Sequence, residues 1–388
     1  MKLFQQLEAR RNWSPQERLA LDQVRRLSLE MVAPNAARYD RSGDFPSDNI
    51  EALNTIGLNT IFIPEAYGGA PMPYRLYLAV VRTLAEACAS TAIIYATTFH
   101  ALKPLIDFGS EEQKQRLLPG IAKGGLGAIT ITEANAGSDA TGMQTRFRQE
   151  GDSIIVNGDK IFVTNGDVAD LLLVFGKWDG IEDSKASISA LYIERGSPGM
   201  RVLRLEDKMG LRASSTAAIA FDGCRVPRAN MLGEPGQGLR ILLSALNKSR
   251  PSIAAHALGI AHAAFNDMVK YMNQRRQSNR RIIEFQGNQF SLADLASDLA
   301  MAECWLDYVA GLMDDGVHDL SVEASIAKLR ISDLAMRITT EAVQMHGGYG
   351  YCRDYRVERL MREAKVTQIW EGTNQIHRQL IGRSFITR

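Results

Sequence analysis

The chain has 388 residues, of which 45% are hydrophobic and 23% are charged, and its formal net charge is +1. A chain of this length exceeds what one hydrophobic core usually supports, so two or three domains are expected. The nearly balanced charge gives no electrostatic reason to expect a nucleic acid or a membrane as a partner.

Cysteine and histidine spacing argues against disulfide bonds and structural metals. The four cysteines are widely separated and form no CxxC pair, and the six histidines show no HExxH or similar spacing. The first residues, MKLFQQLEARRNW, lack the apolar segment of a secretory signal, and no apolar run reaches the length of a membrane span. We therefore expect no metal and a cytoplasmic location.

Residues 1–124 are predicted to form an all-helical N-terminal domain. An amphipathic stripe with intervals of three and four residues consists of Leu21, Val24, Leu27 and Met31. The stretch 89–109 is apolar on nearly every side, which predicts a helix buried inside the domain.

Residues 125–233 are predicted to form a central β-domain, an antiparallel barrel or sandwich. Short β-rich runs separated by turn signals continue to about Pro227. The pair Asn157–Gly158, inside DSIIVNGDKIFVTNG, is a strong signal for a two-residue hairpin turn. The chain shows neither alternating βαβ units nor GxGxxG after a strand, so a Rossmann dinucleotide site is not expected.

Residues 234–388 are predicted to form a C-terminal helical bundle. The glycine-rich stretch GEPGQG (233–238) ends the β-rich region. A helical stripe then keeps its spacing through Leu292, Leu295, Leu299, Ala302, Leu306 and Val309. The predicted fold class is therefore α+β and multidomain, with helices on both sides of a β-domain.

Two stretches of the β-region have the chemistry to contact a cofactor. GAITITEANAGSDATG (127–142) joins a strand to a loop with free backbone N–H groups, and Thr130 and Thr132 offer hydroxyls. IFVTNG places Phe162 and Thr164 two residues apart on a strand, so that Phe162 could lie against a planar ring. A polar turn and core packing of Phe162 are the alternatives that the residues leave open.

A glycine-rich turn and a basic stretch could bind phosphate. The glycines of QMHGGYGY (344–351) would let backbone N–H groups approach a pyrophosphate, although a simple helix stop explains them equally well. The basic stretch contains Arg275, Arg276, Arg280 and Arg281. These arginines either form a solvated face or include a phosphate ligand.

Glu371, within QIWEGTNQIHR, has the best chemical case for catalysis. It lies between Trp370 and a helix start at which Thr373 or Asn374 can serve as the cap. A carboxyl group beside an aromatic ring in an apolar cleft has a raised pKa and can remove a proton next to a carbonyl group. The alternative is an acid that stabilises the dipole of the following helix.

Together these motifs resemble the acyl-CoA dehydrogenase family of flavoproteins. IPEAYGG, TEANAGSDA, NGDKIFVTNG, GEPGQG, QMHGGYGY and IWEGTNQI occur in the family's order, and the resemblance extends over nearly the whole chain. The resemblance implies a helical, a β and a four-helix domain, with FAD between the last two. It also implies a homotetramer, built as a dimer of dimers, in which a neighbouring subunit contributes to FAD binding.

The resemblance further implies which residues bind FAD. Phe162 and Thr164 are expected to flank the isoalloxazine, with Thr164 near N5. The full set of expected FAD contacts is Ile129, Ile131, Thr132, Ser138, Phe162, Val163, Thr164, Arg275, Gln286, Gln344, Met345, His346, Gly347, Gly348, Thr373 and Gln375.

The reaction implied by the resemblance is dehydrogenation of an acyl-CoA to the trans-2-enoyl-CoA, with electrons passed to electron-transfer flavoprotein. Glu371 would remove the α-proton while the β-hydrogen leaves as hydride to flavin N5. The backbone N–H of Glu371 and a ribityl hydroxyl would stabilise the enolate oxygen. Substrate contacts are expected from Ser138, Asn247, Ser249, Arg250, Gly372, Arg383 and His100.

Three questions stay open at this stage. His100 is either a buried, satisfied histidine or a hydrogen-bond partner for a polar, cyclic or branched acyl group. An oxygen-using acyl-CoA oxidase or flavin monooxygenase would have the same fold. A catalytically silent CoA-ester-binding protein is the third possibility, against which the intact Glu371 argues.

Overall fold

The computed structural model describes residues 2–317 and 319–386. The N-terminal part of the described chain is helical, as predicted. The helices that precede the first strand are α1 (Lys2–Ala9), α2 (Pro15–Leu27), α3 (Ala33–Ser42), α4 (Ser47–Thr55), α5 (Tyr74–Ala87), α6 (Ala89–Phe108) and α7 (Glu111–Ala122).

The stripe predicted around α2 ends at a π-helical turn, Ser28–Val32. Leu21 and Val24 are buried as expected, but Met31 is exposed. A π-turn contains one more residue than an α-turn, so the buried face moves from Met31 to Ser28 and Val32. The spacing of apolar residues in the sequence does not indicate this π-turn.

Helix α6 is buried along most of its length, as its composition predicts. Ile94 and Phe99 belong to the large helical core, whereas Leu102 and Leu105 belong to a second core shared with the β-domain. The helix therefore joins two cores, which explains why an apolar surface surrounds it on nearly every side.

The central domain contains one large sheet of eight strands in the described residues. The strands are β1 (Gly127–Thr130), β2 (Arg146–Glu150), β3 (Ser153–Thr164), β4 (Leu171–Trp178), β5 (Ile188–Glu194), β6 (Met200–Leu205), β7 (Thr216–Pro227) and β8 (Met231–Leu232). Their spatial order is β6-β7-β3-β2-β4-β5-β8, with β1 paired to β4.

The sheet is mixed, whereas the strand pattern predicted an antiparallel one. β1 and β2 both run parallel to β4, pairing Gly127 with Leu171 and Arg146 with Lys177. The other strand pairs of this sheet are antiparallel. Side chains alternate in the same way in both kinds of pair, so alternation alone did not reveal strand direction.

The hairpin predicted at Asn157–Gly158 is wrong, because these residues lie inside the continuous strand β3. A β-bulge interrupts the pairing with β7 between Val156 and Gly158. A Cβ atom at Gly158 would lie 2.6 Å from Thr145 Oγ1, so the glycine is needed for close approach of two strands. The same residue pair that favours a turn also favours a bulge.

Strands β4 and β5 are buried on both faces. Leu172 and Leu191 belong to the core inside the β-domain, whereas Leu173 belongs to the core that also contains Leu102 of α6 and Leu118 of α7. This accounts for the nearly continuous apolar runs of both strands. The start of β1 is also fixed to α6, since the Gly127 N–H donates to Thr98 Oγ1 at 3.2 Å.

The C-terminal part is again helical. Its helices are α8 (Gly238–Gln274), α9 (Gln286–Asp314), α10 (Ser321–His346), α11 (Val357–Val366) and α12 (Asn374–Arg383). The first four pack as a bundle, and α12 lies against α10. The stripe predicted on α9 is confirmed, because Leu295, Leu299, Leu306 and Val309 are buried.

A short hairpin connects α8 with α9. Its strands are β9 (Arg276–Gln277) and β10 (Arg280–Arg281), and the turn residues Ser278 and Asn279 both have positive φ. The predicted fold class is confirmed, with a mixed sheet between two helical parts. Across the described ranges, each helix is either too short or too polar to cross a membrane.

Candidate active site

Glu371 lies in the short connection between α11 and α12, as expected for a residue just before a helix. Its backbone is left-handed, with φ of 54°, and Gly372 follows with φ of 94°. A Cβ atom at Gly372 would lie 3.2 Å from Nε2 of the buried His377. The two positive φ values turn the chain so that the Glu371 side chain faces α6 and α8.

The carboxylate of Glu371 is largely enclosed, with 14% of its side chain exposed. The Ser249 hydroxyl of α8 donates a hydrogen bond of 2.7 Å to Oε2, and His100 Nδ1 of α6 lies 3.9 Å from Oε1. Burial raises the pKa of Glu371, while Ser249, Arg250 and Lys328 act in the opposite direction. The site therefore holds a carboxylate that is more basic than one in water.

A pH-dependent stability difference follows from this burial. The pKa of Glu371 is raised above its ordinary value of 4.5, so its contribution to stability is complete below that pH and is lost as pH rises through the folded pKa. Glu371→Gln removes this titrating group. The Tm of the variant should therefore rise relative to the Tm of the wild type as pH increases from about 4 to about 8. Calorimetry over this pH range measures the difference in Tm between the two proteins. A difference that does not change with pH would contradict the expectation.

Lys328 of α10 anchors the loop that carries Glu371, and sequence reasoning missed it. It is fully buried, and its ammonium group donates to the Gly372 carbonyl at 2.7 Å and to Asn374 Oδ1 at 2.9 Å. Burial lowers the pKa of Lys328 to about 7. The available signal was a lysine on the apolar face of α10, between Ala324 and Ile331.

The start of α12 differs in detail from the prediction. Thr373 occupies the N-cap position, but its side chain makes no capping hydrogen bond. The Asn374 side chain instead faces α10, donating to Ser332 Oγ at 2.9 Å and to Asp333 Oδ1 at 2.7 Å. These bonds attach the first residue of α12 to α10, and they hold the start of the helix in place of a capping hydrogen bond.

Arg250, which belongs to α8, lies next to Glu371. It is 5% exposed, its Nη1 donates to Asn247 Oδ1 at 3.3 Å, and its Nε has no partner in the described part of the chain. Burial lowers the pKa of Arg250, and the charge of Glu371 opposes this. A buried guanidinium with an unused donor is suited to a polar or anionic ligand.

The β-domain brings its two predicted motifs together. The Ile161 N–H donates to the Thr132 carbonyl at 2.9 Å, and the Lys160 ammonium pairs with Glu133 at 2.8 Å. Glu133 also accepts from the Thr145 N–H at 3.0 Å, which fixes the loop after β1. The buried Glu133–Lys160 pair was not predicted from the sequence.

Phe162 does not pack in the core, which excludes that alternative. Its side chain is 61% exposed, and its φ of 57° places it in a bulge between Lys160 and Val163. The bulge turns Phe162 outward, leaves Val163 inside the β-domain and leaves Thr164 half-buried. Because a non-glycine residue with positive φ is uncommon and such residues cluster at ligand sites, the exposed Phe162 is a candidate ligand contact.

The remaining residues predicted in the β-domain lie around the loop after β1. Ile129, Ile131 and Thr132 are half-buried, whereas Ser138 is exposed. The hydroxyl of Thr130 is buried without a partner in the described chain. An unsatisfied buried hydroxyl is unusual and is consistent with a ligand edge nearby.

A second group of predicted residues lines one open cleft with a volume of about 440 Å³. Tyr271 stacks on His346 with ring centroids 4.2 Å apart, and the Arg275 guanidinium lies 5.9 Å from the Tyr349 ring centroid. The residues that line the cleft are Tyr271, Arg275, Gln277, Ile282, Gln344, Met345, His346, Gly347, Gly348, Tyr349 and Cys352.

Three predicted contacts on the C-terminal helices lie outside this cleft and are exposed to solvent. Gln286 is exposed at the start of α9, Gln375 is exposed in the first turn of α12, and Arg383 is exposed in its last turn. The tyrosines of the cleft, Tyr271 and Tyr349, were missed because single aromatic residues beside a helix end carry no distinctive spacing. In residues 2–317 and 319–386, no group of three His, Cys, Asp or Glu residues is placed to hold a metal ion.

The chain is similar to known proteins along most of its length. Three family models match it: acyl-CoA dehydrogenase N-terminal domain over 14–125, middle domain over 128–224 and C-terminal domain over 236–386. The chain therefore belongs to the acyl-CoA dehydrogenase family. It is an oxidoreductase and a flavoprotein of that family, and the activity the family implies is dehydrogenation of an acyl-CoA.

Individual relatives cover nearly the whole chain. A short-chain specific acyl-CoA dehydrogenase of Clostridium acetobutylicum is 39% identical, over 95% of this chain and 98% of the relative. The solved butyryl-CoA dehydrogenase of Megasphaera elsdenii is 37% identical with a TM-score of 0.94, covering 97% of this chain and 99% of that chain.

Two further solved structures are similar. A chain solved in work on the electron transferring flavoprotein of Acidaminococcus fermentans is 38% identical with a TM-score of 0.94, covering 97% and 99% of the two chains. A glutaryl-CoA dehydrogenase of Mycobacterium smegmatis in complex with FADH2 is 26% identical with a TM-score of 0.90, covering 97% and 96%.

Proposed function

We propose that this protein catalyses FAD-dependent α,β-dehydrogenation of an acyl-CoA thioester to the trans-2-enoyl-CoA, with Glu371 as the α-proton base. The observation that carries the proposal is the enclosed carboxylate of Glu371, whose pKa is raised by burial. A group with these properties is needed to remove a weakly acidic proton next to a thioester carbonyl. Family membership supports the same reaction class.

The proton step uses the side chain and the backbone of Glu371. The bond from the α-carbon to hydrogen breaks, an O–H bond forms on the carboxylate, and the electron pair stays on the thioester as an enolate. The Glu371 N–H has no acceptor among the described residues, and it precedes a glycine with positive φ. We assign this N–H to the enolate oxygen, because a free backbone donor in an enclosed site stabilises developing negative charge.

The residues present fit FAD as the cofactor. The exposed Phe162 ring and the unpartnered Thr130 hydroxyl suit the ring system, and the cleft with Arg275, Gly347 and Gly348 suits the pyrophosphate and adenosine part. When bound, FAD supplies the acceptor for the β-hydrogen as hydride. The complex of a family member with FADH2 supports this choice.

Arg275→Ala should weaken FAD binding about 10- to 100-fold, because a charge-assisted hydrogen bond to phosphate contributes about 1.5–3 kcal/mol. Flavin fluorescence titration of the apoprotein measures the affinity. Arg276→Ala is the matched control, since the neighbouring Arg276 does not line the cleft. Equal losses in both variants would show that general charge, and not this cleft, holds the cofactor.

We also propose an electron acceptor, an oligomeric state, a location and domain limits. Electron-transfer flavoprotein as the acceptor is supported by the similar chain from the A. fermentans work. A homotetramer follows from the family resemblance, whereas the cytoplasmic location and the domain limits of 1–124, 125–233 and 234–388 follow from the sequence patterns. The ranges of the three family models support those limits. The remaining contacts expected for FAD and for the thioester belong to the same proposal.

The test is anaerobic mixing of the FAD-loaded protein with straight-chain, branched, cyclic and aryl-propionyl CoA thioesters. At least one should bleach the flavin absorbance, and the reduced flavin should then persist in air. Rapid reoxidation by air would instead favour an oxidase or monooxygenase. A protein that binds no flavin, even after added FAD, would contradict the proposal and favour a silent CoA-ester-binding protein.

A further inference from the structure

The orientation of His100 beside Glu371 carries an inference that rests on the proposed function and extends it. His100 is 4% exposed on α6, and its Nε2 lies 2.5 Å from Ser252 Oγ. The Ser252 hydroxyl donates to the Ser249 carbonyl at 2.7 Å, and a carbonyl can only accept. Because Nε2 of a neutral imidazole can donate or accept, we place the hydroxyl hydrogen of Ser252 on the Ser249 carbonyl; Ser252 then accepts from His100, and the imidazole hydrogen lies on Nε2.

The other nitrogen of His100 therefore presents a lone pair toward the carboxylate. Nδ1 lies 3.9 Å from Glu371 Oε1. A water hydrogen-bonded to both atoms would hold them about 4.5 Å apart, so the gap is too short for a bridge. A movement of about 1 Å brings the pair to direct hydrogen-bond distance, but such a bond needs a hydrogen on Oε1.

The two carboxylate oxygens are thus in different surroundings. The Ser249 hydroxyl lies 3.3 Å from the Leu246 carbonyl but only 2.7 Å from Oε2, so we assign its hydrogen to the nearer, charged Oε2, whereas Oε1 faces a lone pair. A lone pair repels a carboxylate oxygen and attracts a carboxylic acid hydrogen. Oε1 is consequently the oxygen on which a proton is stabilised.

We propose that His100 is a positioning residue that directs the substrate α-proton to Oε1 of Glu371 and then accepts a hydrogen bond from the protonated carboxyl through Nδ1. The imidazole itself takes no proton. Because burial lowers the pKa of His100 to about 3, it stays neutral at physiological pH and keeps its lone pair available. This gives the buried histidine a role that does not depend on the polarity of the acyl group.

Other charged and titratable groups surround Glu371 without replacing this role. They are Tyr77 on α5, Arg250 on α8, Lys328 on α10 and His377 on α12. Arg250 and Lys328 are cations that favour the ionised carboxylate. His100 acts in the opposite sense, because it interacts favourably with the protonated carboxyl only.

The test measures the titration of Glu371 in the FAD-loaded protein without thioester. Infrared difference spectra between wild type and Glu371→Gln isolate the carboxyl band, and its intensity is followed against pH. In His100→Phe the pKa of Glu371 should fall by about half a unit to one unit, the equivalent of one net hydrogen bond. His100→Gln, which can donate to Ser252 and accept from Glu371, should keep the wild-type value.

His256→Phe is the control for loss of a buried imidazole near the same loop. His256 donates from Nε2 to the Ala89 carbonyl at 2.9 Å and packs edge-on against Trp370, so its removal should leave the pKa of Glu371 unchanged. An unchanged or raised pKa in His100→Phe would overturn the proposal, as would a His100→Gln variant that behaves like His100→Phe.

A measurement on the wild type alone covers the case in which a variant fails to fold. A protonated Glu371 that donates to His100 should absorb at lower frequency than a carboxyl with no hydrogen-bond acceptor. A band at the frequency of a free carboxyl would contradict the proposal. Neither readout needs turnover, so failure of flavin bleaching would contradict the proposed function while leaving this test intact.

Discussion

Glu371→Gln is expected to slow flavin bleaching by the best acyl-CoA about 10⁴-fold, the upper end of what a positioned general base contributes. Glutamine keeps an oxygen for the Ser249 hydroxyl, which donates to Oε2 at 2.7 Å in the wild type, but it cannot take a proton. Binding of the thioester should therefore remain within about threefold of wild type, because the variant loses a chemical step and not a contact surface. Anaerobic stopped-flow absorbance gives the rate, and calorimetric titration gives the affinity.

Glu371→Asp is the matched control for this experiment. Aspartate retains a carboxylate but withdraws it by one methylene from the position that Glu371 holds in the loop before α12. A displacement of about 1 Å costs about 100-fold, so this variant should lie between wild type and Glu371→Gln. Bleaching by Glu371→Gln at a rate within tenfold of wild type would contradict the assignment of the base.

Lys328→Met should slow the same bleaching about 100-fold with little change in Tm. The buried ammonium group holds the Gly372 carbonyl at 2.7 Å and Asn374 Oδ1 at 2.9 Å, so its loss frees the loop that orients Glu371. Two acceptors lose their donor, which costs about 1–3 kcal/mol each, but the variant no longer buries a charged amine. The two effects on stability oppose each other, whereas the effect on catalysis does not.

A pH profile separates positioning from general damage in Lys328→Met. The charge of Lys328 favours the ionised form of Glu371, so its removal should move the acid limb of the bleaching rate to higher pH. Arg330→Met is the control, because Arg330 lies on the same helix but is exposed. A rate for Lys328→Met within threefold of wild type, with an unmoved acid limb, would show that the anchor is dispensable.

The helices and most of their buried stripes were predictable from the sequence, and features that depend on tertiary contacts were not. The stripe on α9 follows from helical periodicity, the burial of α6 follows from its apolar composition, and both are confirmed. The hairpin at Asn157–Gly158 was wrong because a local turn signal does not register that Gly158 lies against Thr145. The parallel pairing of β1 with β4 depends on residues more than forty positions apart, beyond any local pattern.

In the candidate site, too, some features were predictable from the sequence and others were not. The location of Glu371 before a helix and the exposed Phe162 agree with the sequence-based picture. The sequence did not predict the roles of Lys328, which holds the loop, or of Glu133, which pairs with Lys160. A single charged residue within an apolar pattern usually lies on the surface. Their roles emerge only when burial and hydrogen-bond partners are known.

The most direct test of the central claim is α-hydrogen exchange of acetyl-CoA in heavy water, followed by proton NMR with the FAD-loaded protein. Acetyl-CoA has α-hydrogens but no β-carbon, so exchange reports proton removal without hydride transfer. The wild type should replace the methyl hydrogens with deuterium, and Glu371→Gln should leave them in place. Equal exchange by both proteins would contradict the assignment of Glu371 as the base.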